Sequence, residues 1–97
     1  MLNSKQRANL RALAQGIEPV TQLGKGGVND AFIEGLDKAI EKRELIKVTV
    51  LENSGEEPKE IGFVIAEKLG AEFVCATGRK LVFYRRSQNE KINHIEY

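Results

Sequence analysis

The sequence predicts an α/β fold of the α+β kind, with four strands in one mixed sheet and three helices in the order α-β-α-β-α-β-β. Three observations carry this. Apolar residues recur at helical spacing in three segments and alternate or run together in four shorter ones. Helices separate the early strands, and strand-helix-strand units imply parallel neighbours. The last two apolar runs are joined by Thr77-Gly78-Arg79-Lys80, tight enough for an antiparallel hairpin, so both kinds of pairing meet in one sheet. Nothing in the sequence orders the strands.

The first helix starts after Asn3 or Ser4, either of which can cap it, and Leu10, Leu13 and Ile17 form its apolar stripe. Gly16 is expected to end it in the left-handed conformation, and Pro19 blocks a restart. Val20 to Leu23 reads as a short strand. The second helix runs from about Val28 to Arg43, with Val28, Phe32, Leu36, Ala39 and Ile40 inward and Glu34 placed to pair with Lys38. Leu45 to Leu51 is the clearest strand, because Ile46, Val48 and Val50 alternate with Lys47 and Thr49. The polar stretch from Glu52 to Glu57 reads as a loop. The third helix opens near Pro58, buries Ile61, Val64, Ile65 and Leu69, and stops at Gly70. Phe73 to Ala76 and Leu81 to Tyr84 make the hairpin, and alternation puts one of Phe83 and Tyr84 in the core. Residues 1–86 form the domain; 87–97 are expected to be a polar, loosely held tail, although Ile92, Ile95 and Tyr97 could dock.

Ninety-seven residues suffice for one small domain. With 41% apolar and 30% charged residues, the composition is that of an ordinary globular chain. No apolar run is long enough to span a bilayer, no signal peptide is legible, and the single cysteine, Cys75, suits a reducing compartment, so a cytoplasmic location without a membrane partner is expected.

The net charge of +1 hides a partition: residues 1–28 carry +3, residues 29–77 carry −5, and residues 78–97 carry +3. If the two ends meet, Arg7, Arg11, Lys25, Arg79, Lys80 and Arg85 lie on one basic face. Between a strand and a helix stands Gly24-Lys25-Gly26-Gly27. Such a loop lets backbone N–H groups approach an anion, and a helix N-terminus behind it adds partial positive charge. A tight strand-to-helix turn also needs glycine. Nucleotide-binding templates do not fit: Lys25 precedes Gly26 with no Ser or Thr following, and Asn29 stands where a dinucleotide fingerprint needs its last glycine. A short G-x-x-G loop remains, of the kind that clamps RNA backbone in KH modules. Arg79, Lys80, Arg85 and Arg86 form a second basic group, read either as a protected sheet edge or as a binding surface.

Catalysis has little footing. His94 reads as an inert surface residue of the tail, Cys75 as a buried structural thiol, and no His, Cys or Asp spacing resembles a metal site. Neither a cofactor nor a small-molecule substrate is implied.

Ser4-Lys5-Gln6-Arg7 with Leu10, then Glu18-Pro19-Val20 and Leu23-Gly24-Lys25-Gly26-Gly27, resemble the opening of the CRM domain. Glu44-Leu45-Ile46-Lys47-Val48 and the segment from Gly78 to Arg85 extend the resemblance over residues 2–86, toward the single-domain bacterial YhbY-like members. The resemblance implies an RNA-binding domain whose fold is similar to the C-terminal domain of translation initiation factor three. It further implies association with precursors of the large ribosomal subunit in bacteria, or with group II intron splicing in plants. It maps the family's RNA-binding loop onto Gly24, Lys25, Gly26 and Gly27, and its basic first-helix positions onto Lys5, Arg7 and Arg11. Gln15 departs from the family, where many relatives carry histidine.

The expectation is therefore a non-enzymatic, monomeric protein that binds ribosomal RNA in large-subunit precursors. Its site residues are Lys5, Arg7, Arg11, Gly24, Lys25, Gly26, Gly27, Arg79, Lys80, Arg85 and Arg86. The alternative is a protein-interaction module docking on a ribosomal or assembly protein through the acidic second and third helices. A phosphate-binding enzyme ranks third.

Overall fold

The computed structural model describes residues 2–97. Helix α1 (Ser4–Ala14) leads to strand β1 (Thr21–Leu23), helix α2 (Asp30–Arg43) and strand β2 (Leu45–Val50). A single 3-10 turn (Glu52–Ser54) precedes helix α3 (Pro58–Leu69), and strands β3 (Glu72–Thr77) and β4 (Lys80–Tyr84) close the chain's regular structure. The predicted element order is the observed one. The sheet order is β1-β2-β4-β3: β1 pairs parallel with β2, and the other pairs are antiparallel.

Local chemistry sets the boundaries. Asn3 and Gln6 form a reciprocal capping box at the start of α1. Asn29 accepts from the Phe32 N–H and starts α2 two residues later than the apolar pattern suggests. Glu57 caps α3 ahead of Pro58, and Gly70 ends it at φ 63°. Gly78 supplies the positive φ that the hairpin needs. Gly16 differs from expectation. It is not left-handed, and α1 instead ends in tightened turns, with the Gln15, Gly16 and Ile17 N–H groups bonding to Ala12, Leu13 and Ala14 carbonyls.

Both faces of the sheet are covered. On one, α2 and α3 bury Leu36, Ile40, Ile65 and Leu69 against Ile46, Val48, Val50, Leu81 and Phe83. On the other, α1 packs Leu10 and Ala14 on Leu45, Val74, Val82 and Tyr84. Strand alternation holds, but Phe83 and Tyr84 are both buried, because each side of β4 has its own core. Narrow helix contacts leave Leu13 and Val64 about half exposed, and Phe63 is 60% exposed, its ring edge-on to Phe73. A β-bulge between Phe73 and Cys75 places Val74 and Cys75 against the same core, so Cys75 is half-buried rather than buried.

Gly62 lies inside α3 with the Phe73 ring on it. A Cβ there would overlap the ring, with Cε2 2.8 Å away, and Phe63 and Phe83 flank that ring. Gly62→Ala gains helix propensity of about 1 kcal/mol, but overpacking a held ring costs about 1–3 kcal/mol. The thermal midpoint should fall; a rise would mean that Phe73 moves aside freely.

The tail is held rather than loose, and Ile95 and Tyr97, two of the residues the sequence offers for docking, do dock. Glu44 follows α2 at φ 66°, a conformation rare outside glycine, and is 1% exposed. Its carboxylate accepts from the Ser87 N–H and Ile95 N–H, both at 2.7 Å, and from His94 Nδ1 at 2.5 Å. A carboxylate only accepts, so Nδ1 carries the proton. Glu41 binds the Ser87 hydroxyl and the Gln88 N–H. Ile95 packs into the core under α1, and the Tyr97 ring lies 4.8 Å from that of Tyr84. His94 is thus an anchor. Three donors spaced over nine residues converge on one buried acid, and no local pattern announces this.

Candidate nucleic-acid interface

The C-terminal ends of β1 and β2 and the β3–β4 hairpin meet at one end of the sheet, which puts the Gly24–Gly27 loop at the same end as Lys80, with β2 between them. The loop closes as a tight turn, the Gly27 N–H bonding to Gly24 O at 3.1 Å, with Gly27 at φ 69°. Lys25 and Gly26 are exposed at its tip, and their N–H groups bond to no other described residue. The helix behind adds less than expected. Asn29 already accepts from its first turn and Asp30 stands in that turn, so the chain itself answers the helix dipole.

The sheet face under α1 has an open end. Three rows cross it in register. Leu45 and Tyr84 lie beneath the helix. Lys47, Val82 and Cys75 lie under its last turn. Gln22, Thr49, Lys80 and Thr77 form the outermost row. Thr49 lies between Val48 and Val50, and Lys80 precedes Leu81; those three apolar residues face α2 and α3, so Thr49 and Lys80 face the α1 side. Arg11, Lys47 and Lys80 surround a shallow pocket of about 140 Å³ that also touches Gln15, Cys75 and Thr77. Among the described residues, none of Arg11, Lys25, Lys47 and Lys80 forms an ion pair.

The expected single basic face therefore divides. Arg11 and Lys80 share the open end with Lys25 nearby. Arg79 and Arg85 point to the other side of the sheet. Arg79 donates to the carbonyls of Val50, Leu51 and Glu56, stitching the hairpin to the loop before α3. Arg85 donates to Asp37 at 2.7 Å, to Glu41 at 3.3 Å and to Leu69 O, clamping α2 to α3. The odd positions of β4 face α2 and α3, and this turns both guanidiniums away. Arg7 donates to Phe73 O and Val74 O at the bulge of edge strand β3, carbonyls that the ladder leaves over. Lys5 is exposed on the helix row of Asn9 and Ala12, away from Arg7 and Arg11. Arg86 is exposed past the far end of β4.

Lys47 joins the cluster although sequence reasoning passed over it. Its signal was present in the alternation of Ile46, Val48 and Val50, which puts Lys47 on the opposite face. That alternation marks a strand, and only the position of α1 shows that the face stays open beyond it.

A cleft of about 610 Å³ lies between the end of α1 and the tail, lined by Leu13, Ile17, Val20, Leu45 and Ile95, with Glu18, Arg43 and Glu96 also on its wall. Among the described residues no cluster of His, Cys, Asp or Glu is placed to hold a metal ion, and no helix is long and apolar enough to cross a membrane.

The sequence profile of the CRS1/YhbY (CRM) domain matches residues 2–85. The chain belongs to this family. As a CRM domain it has well-matched relatives. It is 38% identical over 91 residues to the probable RNA-binding protein YqeI of Bacillus subtilis, covering 94% of this chain and 95% of the relative. It is 34% identical over 91 residues to an RNA-binding protein of Haemophilus influenzae, covering 94% and 92%. A solution structure of protein SAV1595 from Staphylococcus aureus, 39% identical, superposes with a TM-score of 0.75, covering 94% of this chain and 95% of the other. The CRM match ends at residue 85, so the segment gripped by Glu44 lies beyond it.

Proposed function

We propose that this CRM domain is a non-enzymatic RNA-binding protein that acts in the cytoplasm, as a monomer, on ribosomal RNA in precursors of the large ribosomal subunit. The observation that carries the reading is the convergence of Arg11, Lys47 and Lys80 on an open sheet end beside the Gly24–Gly27 loop, with none of them paired to an acid. The names of the relatives support RNA as the ligand. The ribosomal assignment follows the family resemblance. Binding rests on phosphate contacts from these cations and Lys25, with the Lys25 and Gly26 N–H groups as further donors. The described tyrosines and Phe83 are packed against other groups on the protein, and Phe63 lies on α3 across the sheet, so base stacking contributes little.

Two measurements test this. Four phosphate contacts give a log–log salt slope of roughly −3 to −4. Gly26→Asp adds a like charge where the new Cβ meets only Asn29 Nδ2 at 3.9 Å, so RNA affinity should fall about tenfold or more with the melt near wild type. Gly27→Asp also has room, but at φ 69° it should cost about 1 kcal/mol of stability as well. Unchanged affinity in folded Gly26→Asp excludes the loop. An absence of RNA binding at physiological salt favours docking on a protein through the acidic helices.

A further inference from the structure

The outermost row on the open sheet end is mostly uncharged. Gln22 pairs with Thr49, Thr49 with Lys80, and Lys80 with Thr77, so one residue from each of the four strands stands in line. At ordinary strand spacing the row is about 14 Å long. It begins at β1, just before the glycine loop, and ends beside Arg11, and the α1 helix stops short of it. Among the described residues, the side chains of Gln22, Thr49 and Thr77 make no hydrogen bond; the threonines and glutamine that line this end have spare donors and acceptors side by side. A platform built only to attract phosphate needs cations. Hydroxyl and amide groups can donate to an anion as cations do, but unlike cations they also accept, and so they match a partner that both donates and accepts. The ribose 2′-hydroxyl is such a partner, and it is the group by which a protein distinguishes RNA from DNA.

We propose that this row is a sugar-reading track: Lys47, Lys80 and Arg11 hold the phosphates of one strand, while Thr49 and Thr77, assisted by Gln22, bond to its 2′-hydroxyls and select ribose over deoxyribose. The assignment rests on the RNA-binding reading above and adds the feature of RNA that is recognised. It requires no particular base, since the bases point away from a backbone laid on the sheet.

The test uses Thr49→Val with Thr77→Val in the full chain. Valine keeps the shape and the β-branching and removes only the hydroxyls, so the fold is kept, as a melt within a few degrees of wild type would verify. Affinities are measured for oligouridylate and for oligodeoxyuridylate of the same length, two flexible single strands that differ chiefly at the 2′ position. The native protein should prefer the ribo-oligomer by about tenfold, and the double variant should lose about fivefold to tenfold on it, erasing most of the preference, as expected for two neutral hydrogen bonds. Affinity for the deoxy-oligomer should stay within about twofold. Equal affinity of the native protein for the two oligomers, or an unchanged preference in the folded double variant, overturns the track and leaves RNA binding in place. Absence of binding to either oligomer or to a structured ribosomal RNA fragment overturns both.

Discussion

Lys47→Glu with Lys80→Glu should lower RNA affinity by about a hundredfold to a thousandfold at low salt, with the fold intact. Each substitution replaces an attraction with a repulsion at a site next to phosphate, and near a protein surface such a contact is worth on the order of 1–4 kcal/mol. Lys80 is exposed and Lys47 half-exposed, and neither is ion-paired among the described residues, so little stability depends on their charges. Arg79→Gln and Arg85→Gln should behave in the opposite way. These side chains bridge loops and helices through carbonyl and carboxylate acceptors, so the melt should drop while the affinity of the folded fraction holds within about twofold. Anisotropy titrations beside thermal melts separate the two classes. Loss of affinity in Arg85→Gln with an unchanged melt would restore that arginine to the interface.

Glu44→Ala should be strongly destabilising. It strands the buried Ser87 N–H and the part-buried Ile95 N–H and His94 Nδ1 without their acceptor. A buried donor left without its acceptor costs about 1–3 kcal/mol, and the loss of three at once should lower the midpoint of a domain of this size by roughly 15 °C or more. Glu44→Gly loses the same carboxylate but relieves the φ of 66°, so it should be milder than alanine by about 1 kcal/mol. The same acid sets a pH dependence. Burial raises the Glu44 carboxyl, the largest single influence, but the hydrogen bonds from His94, Ile95 and Ser87 together outweigh it and hold the group below its ordinary 4.5. A lowered carboxyl stabilises fully above the unfolded value, and that stability is lost as pH falls through the folded value, below 4.5. Tail protection in hydrogen exchange should therefore fade in that acidic range before the sheet opens. Tail protection lost only together with that of the sheet on acidification would detach the tail from Glu44.

Much of this was readable in the chain, for identifiable reasons. The period-2 pattern around Lys47, the capping pair Asn3 and Gln6, Pro58 and Gly78 are local signals, and local signals gave the order of elements. The glycine loop was legible because its residues adjoin in sequence. Which face the arginines flanking β4, Arg79 and Arg85, take depends on where α2 and α3 lie, and that is decided by strand order, a non-local property. Arg7 looked like a binding residue because the bulge whose carbonyls it satisfies lies 66 positions away. Lys47 was overlooked for the converse reason: its importance arises from a helix ending early above it. The buried role of Glu44 and His94, 50 residues apart, has no sequence periodicity at all.

The cations at the open end of the sheet stand unpaired on one face, while Arg79 and Arg85 use their charges inside the protein on the other. A particle with a net charge of +1 feels little overall pull toward a polyanion, but an off-centre cluster of unpaired cations gives it a torque in such a field. Encounter thus begins with rotation rather than capture, and the rate of correct approach is governed by how quickly the molecule turns.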